Sequence, residues 1–131
     1  MDERWEIVQH RLRRAHEALE DARIMAEAER WNPCVSRLYY ACFYAISALL
    51  LLHDLSSSKH AGVRSLFNQH FVKTGKISKP LAQVYNDLFT RRQEGDYVDF
   101  VHFAAVQVGP WIKGAEQFVG TIAALIDEPG S

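Results

Sequence analysis

The chain has 131 residues with ordinary globular composition, 48% hydrophobic and 24% charged, and its size suits one domain with one core. Its 15 basic and 16 acidic side chains give a formal net charge of −1, which excludes a strongly basic nucleic-acid coat protein but leaves room for a local basic patch. The N-terminus lacks signal-peptide character, and the longest apolar run, residues 38–52, is short for a membrane span. These features predict a cytoplasmic protein with no membrane partner.

The first predicted helix is amphipathic and covers about residues 3–30. Its apolar residues recur at alternating spacings of three and four, which places them on one face, and charged residues occupy the other face. Asn32 and Pro33 are expected to end this helix and begin the next, with Asn32 as the N-cap and Pro33 at the first helical position.

The second predicted helix, about residues 33–53, is apolar on all sides of its middle. A helix without a polar face must be covered by protein on every side. It is therefore expected to be the central helix of a bundle. Because so small a chain has difficulty covering every face of one helix, we also expect a two-fold homodimer whose interface includes this helix or its neighbours.

Three further helices follow in chain order. A short third helix is predicted over about residues 59–71, and a fourth opens at residues 78–80 and breaks at residues 93–97, where Gly95 lies. Asp96 and Asp99 favour the start of a last helix, which Pro110 should kink, and the tail 127–131 is expected to fray. The sequence thus predicts an all-α fold over residues 1–131, an up-and-down four-helix bundle with one additional short helix, as a single domain.

Eight polar side chains among apolar neighbours are the candidate site residues. They lie on the central helix, at the start of the third helix and at the joint before the last helix: Arg37, Tyr40, His60, Arg64, Arg91, Arg92, Asp96 and Tyr97. Each of them has a structural interpretation, as an ion pair or as a hydroxyl that satisfies a buried group. Together, however, guanidinium groups and a histidine beside aromatic rings are the components of a site for phosphate and base.

Spacings typical of other kinds of site are missing from the sequence. The six histidines and two cysteines show no zinc-ligand spacing, and there is no Gly-rich phosphate loop and no Gly-x-Ser-x-Gly motif. We therefore expect no metal ion and no cofactor.

Three segments resemble the HEPN family, in its branch of small bacterial and archaeal members. Residues 36–45, Ser-Arg-Leu-Tyr-Tyr-Ala-Cys-Phe-Tyr-Ala, are similar to the signature second helix of that branch. Residues 60–63, His-Ala-Gly-Val, and residues 88–97, Leu-Phe-Thr-Arg-Arg-Gln-Glu-Gly-Asp-Tyr, are similar to its next two segments and follow in the same order. The resemblance implies a bundle of four long helices with a short extra one, associated about a two-fold axis that forms a shared cleft.

The resemblance also implies a choice of functions. Many HEPN proteins are metal-independent endoribonucleases, many are encoded beside a nucleotidyltransferase in toxin–antitoxin pairs, and others bind nucleotides without cutting RNA. The family's ribonuclease motif is an Arg followed, after four to six residues, by a His. In this chain Arg92 reaches Tyr97 instead, and a tyrosine, with a pKa of about 10, is a poor base at pH 7.

His60 is a candidate for the missing imidazole. In an up-down bundle the third helix begins at the end where the fourth stops, so His60 is expected beside Arg92, with Asp96 near enough to orient a guanidinium group or to cap the last helix. Tyr97 is expected in the same solvent-reachable site. Arg37 is expected near the opposite end of the bundle, from which it could join this site only across a dimer axis.

The first functional hypothesis is a nucleotide- or RNA-binding module of a toxin–antitoxin-like pair with a nucleotidyltransferase, in which the side chains that bind are Arg91, Arg64, Arg37 and Tyr40. The alternative is an active metal-independent endoribonuclease that uses Arg92 with Tyr97, Asp96 or His60. A further alternative is a non-catalytic dimeric scaffold whose polar cleft only orders the dimer.

Overall fold

A computed structural model describes residues 3–98 and 100–128 of the chain. Within these residues it contains no β-strand and five α-helices: α1 (Glu3–Glu27), α2 (Trp31–Leu52), α3 (His60–Phe67), α4 (Lys79–Tyr97) and α5 (Ala105–Asp127). One π-helical turn, Asn68–Val72, extends α3. The predicted all-α bundle of four long helices and one short one is confirmed. Of the tail that was expected to fray, residues 129–131 lie outside the described residues.

Successive long helices of the bundle run antiparallel. Arg11 of α1 bonds to Ser47 of α2, and Arg14, one turn further along α1, bonds to Tyr44, one turn earlier in α2. The same reversal relates α2 to α4, because the start of α2 lies beside the end of α4 around Gly95. The short helix α3 is inserted between α2 and α4 and packs against both α2 and the rest of the core.

Helix α2 is the centre of this bundle. Eleven of its 22 residues are buried, and it contacts α1, α3, α4 and α5. It is also long and apolar enough to cross a membrane, by length and composition alone, but 56% of that stretch is buried inside the bundle. Its apolar character is what a core helix needs, since protein covers it on several sides.

Asn32 has a different role from the one predicted. Helix α2 begins at Trp31 with Arg30 as its N-cap, so Asn32 is inside the helix. Its amide Nδ2 donates to the carbonyl of Val101 at 2.8 Å, and its Oδ1 accepts from the N–H of Phe103 at 3.0 Å. The side chain therefore holds the connection between α4 and α5, which offers it two partners where a cap would offer one.

The joint before the last helix also differs from the prediction. Helix α4 continues through Gly95 and Asp96 to Tyr97, and α5 begins only at Ala105, while Asp99 lies outside the described residues. A Cβ atom at Gly95 would lie 3.0 Å from the ring of Phe103, so the glycine allows a close approach of that ring and does not break the helix. Helix α5 continues without interruption past Pro110 in its second turn.

Candidate functional site

Arg92, in the last two turns of α4, lies against two tyrosine rings of α2. Its Cζ atom is 4.8 Å from the ring centre of Tyr39 and 5.5 Å from that of Tyr40, and its Nη1 donates to the Tyr40 hydroxyl at 3.2 Å. The side chain is only 13% exposed. Its Nε is buried and has no hydrogen-bond partner among the described residues. The cation is thus held largely by aromatic faces, which attract it through the ring quadrupole.

A second guanidinium group shares one of these rings. The Cζ of Arg37 lies 5.0 Å from the ring centre of Tyr40. The nearest carboxylate to Arg92 in the described ion pairs is Asp96, at a long N···O distance of 3.7 Å and 41% exposed. We call the set Arg37, Tyr39, Tyr40, His60 and Arg92 the Arg92 cluster. It contains two cations that are balanced by one distant carboxylate.

The position of Arg37 corrects an expectation. It lies in the same site as Arg92 within one chain and not at the opposite end of the bundle. The reason is that α4 runs antiparallel to α2, so that the end of α4, which carries Arg92, lies beside the first half of α2, which carries Arg37. The connection of residues 53–59 runs back along α2 and brings His60 against Tyr39 and Phe43 near the middle of that helix. Helices α2, α3 and α4 therefore contact one another within one turn of Arg37.

His60 is the third polar component of the cluster. Its Nδ1 and the Tyr39 hydroxyl are 2.7 Å apart, and its ring stacks on Phe43 with centroids 4.3 Å apart. Burial, and then the nearby positive charge of Arg92, lower the pKa of His60 below its usual 6.5. The imidazole is therefore neutral at pH 7.

The direction of the hydrogen bond between Tyr39 and His60 is coupled to the tautomer of His60. Burial raises the pKa of Tyr39 to about 12, although Arg92 counteracts part of this effect. Tyr39 thus keeps its proton at neutral pH, and when it donates to Nδ1, the hydrogen of the neutral imidazole resides on Nε2. In that tautomer His60 presents a hydrogen-bond donor, and in the other tautomer Nε2 is a base.

Arg64 lies at the edge of this cluster. Its Nε donates to Oδ1 of Asn86 at 2.9 Å, and its Cζ is 4.7 Å from the ring centre of Phe89. The Phe89 ring in turn is 5.9 Å from Tyr39. One aromatic ring therefore separates Arg64 from the Arg92 cluster.

The remaining predicted residues lie further out. Arg91 forms an ion pair with Glu94 at 2.9 Å on the outer face of α4. Tyr97 is 76% exposed at the end of α4, and within residues 3–98 and 100–128 no contact joins it to Arg92 or His60. The expected pairing of Arg92 with His60 is thus present, whereas Tyr97 stands apart from both.

Tyr39 and Phe43 were not among the predicted site residues, although they position His60. The signal for Tyr39 is in the sequence, because a tyrosine in an otherwise apolar helix needs a partner for its hydroxyl. For Phe43 there is no such signal, since an aromatic ring on a core helix is typical of packing alone. No group of three potential metal-ligand side chains occurs in the described part of the chain.

Comparison with known proteins identifies the family. The model of the HEPN domain matches residues 8–125, a range that includes the whole Arg92 cluster. The chain belongs to the HEPN domain family. A UPF0332 protein of Thermotoga maritima is 46% identical to this HEPN domain over 128 residues, which are 98% of the chain and 97% of that relative.

Two relatives from Methanocaldococcus jannaschii are named as candidate toxins. One is 34% identical over 86 residues, 66% of this HEPN domain and 58% of that protein. The other is 36% identical over 83 residues, 63% of this chain and 62% of that protein. The chain therefore spans about three fifths of the length of these two relatives.

Proposed function

We propose that this HEPN domain binds the phosphate groups of RNA or of nucleotides at the Arg92 cluster, as one module of a toxin–antitoxin-like pair. The main support is that the guanidinium groups of Arg37 and Arg92 share the Tyr40 ring while the only carboxylate in a described ion pair with either is 3.7 Å away. Two cations held this close favour a bound anion, and arginine is well suited to phosphate.

The surroundings of the two cations suit RNA. Tyr40 and Tyr44 are half-buried rings on one face of α2, 5.9 Å apart, and a half-exposed ring can stack with a base. His60 adds a neutral hydrogen-bond donor or acceptor rather than a third cation. We infer that phosphate lies on the arginines and that a neighbouring base stacks on a tyrosine.

The experiment is a fluorescence-anisotropy titration of a short single-stranded RNA with the full chain. Arg37→Ala should weaken binding by roughly tenfold or more, and it should reduce the dependence of the affinity on salt, because one phosphate contact is lost. Arg30→Ala is the matched control, since Arg30 is exposed and lies seven residues earlier on the same stretch of chain. Equal affinities for the Arg37→Ala variant and the native chain would contradict the proposal.

A metal-independent endoribonuclease is the second candidate, favoured by one observation. His60 is neutral at pH 7 and lies in the same cluster as Arg92, so an imidazole suited to proton transfer adjoins a cation suited to phosphate. RNA cleavage by the pure protein in EDTA that is lost in His60→Gln would favour this function. Cleavage that appears only after Tyr97→His would indicate a degenerate nuclease, and no RNA binding at all would favour the scaffold.

Assembly and partner belong to the same proposal. We propose a cytoplasmic homodimer that pairs with a nucleotidyltransferase, supported by the exposed apolar side chains of Val98, Phe100 and Val106 around the connection between α4 and α5, which a second copy would cover. Light scattering should give about twice the 15.0 kDa of the chain. A monomer at tens of micromolar, on the order of assay concentrations, would contradict the dimer.

A further inference from the structure

A small polar cavity lies at the end of α2, far along that helix from the Arg92 cluster. Its volume is about 260 Å³, and we call it the His53 cavity after one of the five side chains that line it: His53, Leu55, His70, Phe71 and Lys76. His53 directly follows α2, and Lys76 lies in the loop before α4. The π-helical turn contributes His70 and Phe71. No residue of the Arg92 cluster is among the described residues that line it, so the two sites are separate.

Three nitrogen bases and no carboxylate line the His53 cavity. The acidic side chain next to it in sequence, Asp54, is 78% exposed and forms an ion pair with Arg4 of α1. None of the ion pairs in the described part of the chain includes His53, His70 or Lys76. The positive charge that these bases carry when protonated is therefore not neutralised by a side chain of the protein.

The three bases are close enough to affect one another. Burial, and then the positive charges of Lys76 and His70, lower the pKa of His53 below its usual 6.5. The ring of Phe71 lies under two of the bases, because its centre is 5.2 Å from that of the His53 ring and 5.7 Å from Nζ of Lys76. Protonation of His53 thus brings like charges together around one ring, and a bound anion would offset their repulsion.

The backbone is irregular at the same place. The N–H of Lys73 donates to the carbonyl of Asn68 at 2.9 Å, which closes a turn one residue wider than that of an α-helix. Such π-turns are rare, and they are frequent at functional sites. Two of the five residues in this turn, His70 and Phe71, line the His53 cavity. The irregular turn therefore lies where the bases converge.

We propose that the His53 cavity binds a small divalent oxyanion, such as sulfate or phosphate, between Lys76 and the imidazoles of His53 and His70. An ammonium group offers three N–H donors, and a protonated imidazole offers two, so the bases can bond to several oxygens of one anion. Apolar surface in the cavity comes from Leu55 and Phe71 alone, which favours a compact hydrophilic ligand. The same chemistry is present in a free ion and in a phosphate monoester. This site is independent of the proposed function.

The affinity of the cavity for an anion should depend on pH. His53 is neutral at pH 7, and it gains a positive charge as the pH falls through its lowered pKa. The charged and titratable groups around it are His70 and Lys76 across the cavity and the ion pair of Asp54 and Arg4 beside it. Because an anion binds the protonated form more tightly, binding should raise the pKa of His53, and the affinity should rise as the pH falls.

The test is an NMR titration of the full chain with sodium sulfate, followed at the histidine ring signals. Sodium chloride at equal ionic strength is the reference, because salt alone screens the repulsion between the bases. Sulfate should raise the titration midpoint of His53 by roughly half a pH unit and should bind roughly twofold more tightly at about pH 6 than at about pH 7.5. An equal response to chloride and sulfate would contradict the proposal.

Variants of the lining residues locate the anion. Lys76→Ala should weaken sulfate binding by roughly three- to tenfold, as expected for one lost charge-assisted contact. Lys73→Ala is the matched control, because Lys73 is an exposed lysine of the same loop that does not line the cavity. His53→Gln should remove most of the pH dependence of binding, with the remainder due to His70. Equal losses in the two lysine variants would indicate a general effect of surface charge and would overturn the site.

Inorganic phosphate and methyl phosphate distinguish the two sources of the anion. If the cavity takes a free ion, methyl phosphate should bind more weakly than inorganic phosphate, and if it takes a monoester, the two should bind equally. Lys76→Ala should leave RNA binding at the Arg92 cluster unchanged, and Arg37→Ala should leave sulfate binding unchanged. Loss of sulfate binding in Arg37→Ala, with none in Lys76→Ala, would place the anion in the Arg92 cluster and would overturn the assignment of the His53 cavity.

Discussion

The Arg92 cluster and the cavity of about 390 Å³ between α1 and α2, the α1–α2 cavity, each hold an arginine of another helix against a tyrosine ring of α2. They differ in how far the cation is buried. Arg92 is 13% exposed between Tyr39 and Tyr40, whereas Arg14 is an exposed residue on the rim beside Tyr44. A buried guanidinium has exchanged its hydration for ring and hydroxyl contacts, so removing it affects the fold. An exposed guanidinium group keeps its hydration, so its removal should affect the binding of a ligand more than the stability of the fold.

The largest expected effect follows from this difference in burial. Arg92→Ala should lower the free energy of unfolding by about 2–3 kcal/mol, because it removes two ring contacts and the donor to the Tyr40 hydroxyl and leaves a void. Arg14→Ala should lower it by less than about 1 kcal/mol, as for an exposed cation on a ring. Chemical denaturation measures both values.

Arg91→Ala is the control for the first change, because it removes a neighbouring arginine with an exposed ion pair to Glu94. Its cost should be below about 1 kcal/mol. Equal losses of stability in Arg92→Ala and Arg14→Ala would show that burial does not distinguish the two sites.

A smaller effect is expected in the wall of the cavity. A Cβ atom at Gly62 would lie 2.0 Å from Oγ and 2.8 Å from Cβ of Ser57, a residue that lines the cavity. Gly62→Ala should therefore destabilise the protein by about 1–3 kcal/mol, and Ser57→Gly in the same chain should restore part of the loss. The measurement is again the free energy of unfolding.

Gly120→Ala is the matched control for that change. Nothing lies within 4 Å of a Cβ atom at this helical position, so the substitution should stabilise the protein by up to about 1 kcal/mol. If Gly62→Ala is equally harmless, the connection of residues 53–59 is not held tightly against α3, and the cavity has no fixed wall.

The smallest expected effect is the pH dependence of stability, to which the Arg92 cluster contributes through His60. Because the folded-state pKa of His60 lies below its ordinary 6.5, the unfolded chain binds a proton more readily. The contribution of His60 to stability is then fully present above about pH 6.5 and is lost as the pH falls through the folded-state pKa. Burial and the positive charges of Lys76 and His70 lower the pKa of His53 in the same direction.

Thermal unfolding measured from neutral to mildly acidic pH should show a melting temperature that falls with pH. His60→Gln should flatten this profile in part, with the remainder due to His53, and His16→Gln on the exposed face of α1 is the control. In an NMR titration, Arg92→Gln should raise the pKa of His60, because the second cause of its depression is removed. An unchanged His60 pKa in that variant would separate the imidazole from Arg92.

The helices and the core could be predicted from the sequence to a large extent. The apolar spacing of three and four places one stripe on α1, and its members Val8, Leu12, Ala15 and Leu19 are indeed buried. The ends of the helices were less predictable. Asn32 has the residue type of a cap, but its side chain bonds to the connection before α5. Gly95 has the residue type of a helix breaker, but its small size lets the ring of Phe103 pack against α4.

The candidate sites, like the helices, could be predicted from the sequence only in part. Residue types identified Arg92 and His60 as candidates, but the expected reason for their meeting, that α3 begins at the end of the bundle where α4 stops, is not the one that the structure has. Helix α4 ends beside the start of α2, and the connection of residues 53–59 brings His60 back along α2 to the same tyrosine rings that Arg92 contacts. The proximity of Arg37 to Arg92 depends on the antiparallel packing of α2 and α4. The hydrogen bond between Tyr39 and His60 and the cavity beside Arg11 and Arg14 depend on the path of residues 53–59 along α2. Periodicity assigns a residue to a helix face, but how far a connection folds back over that face depends on the packing of all its neighbours at once.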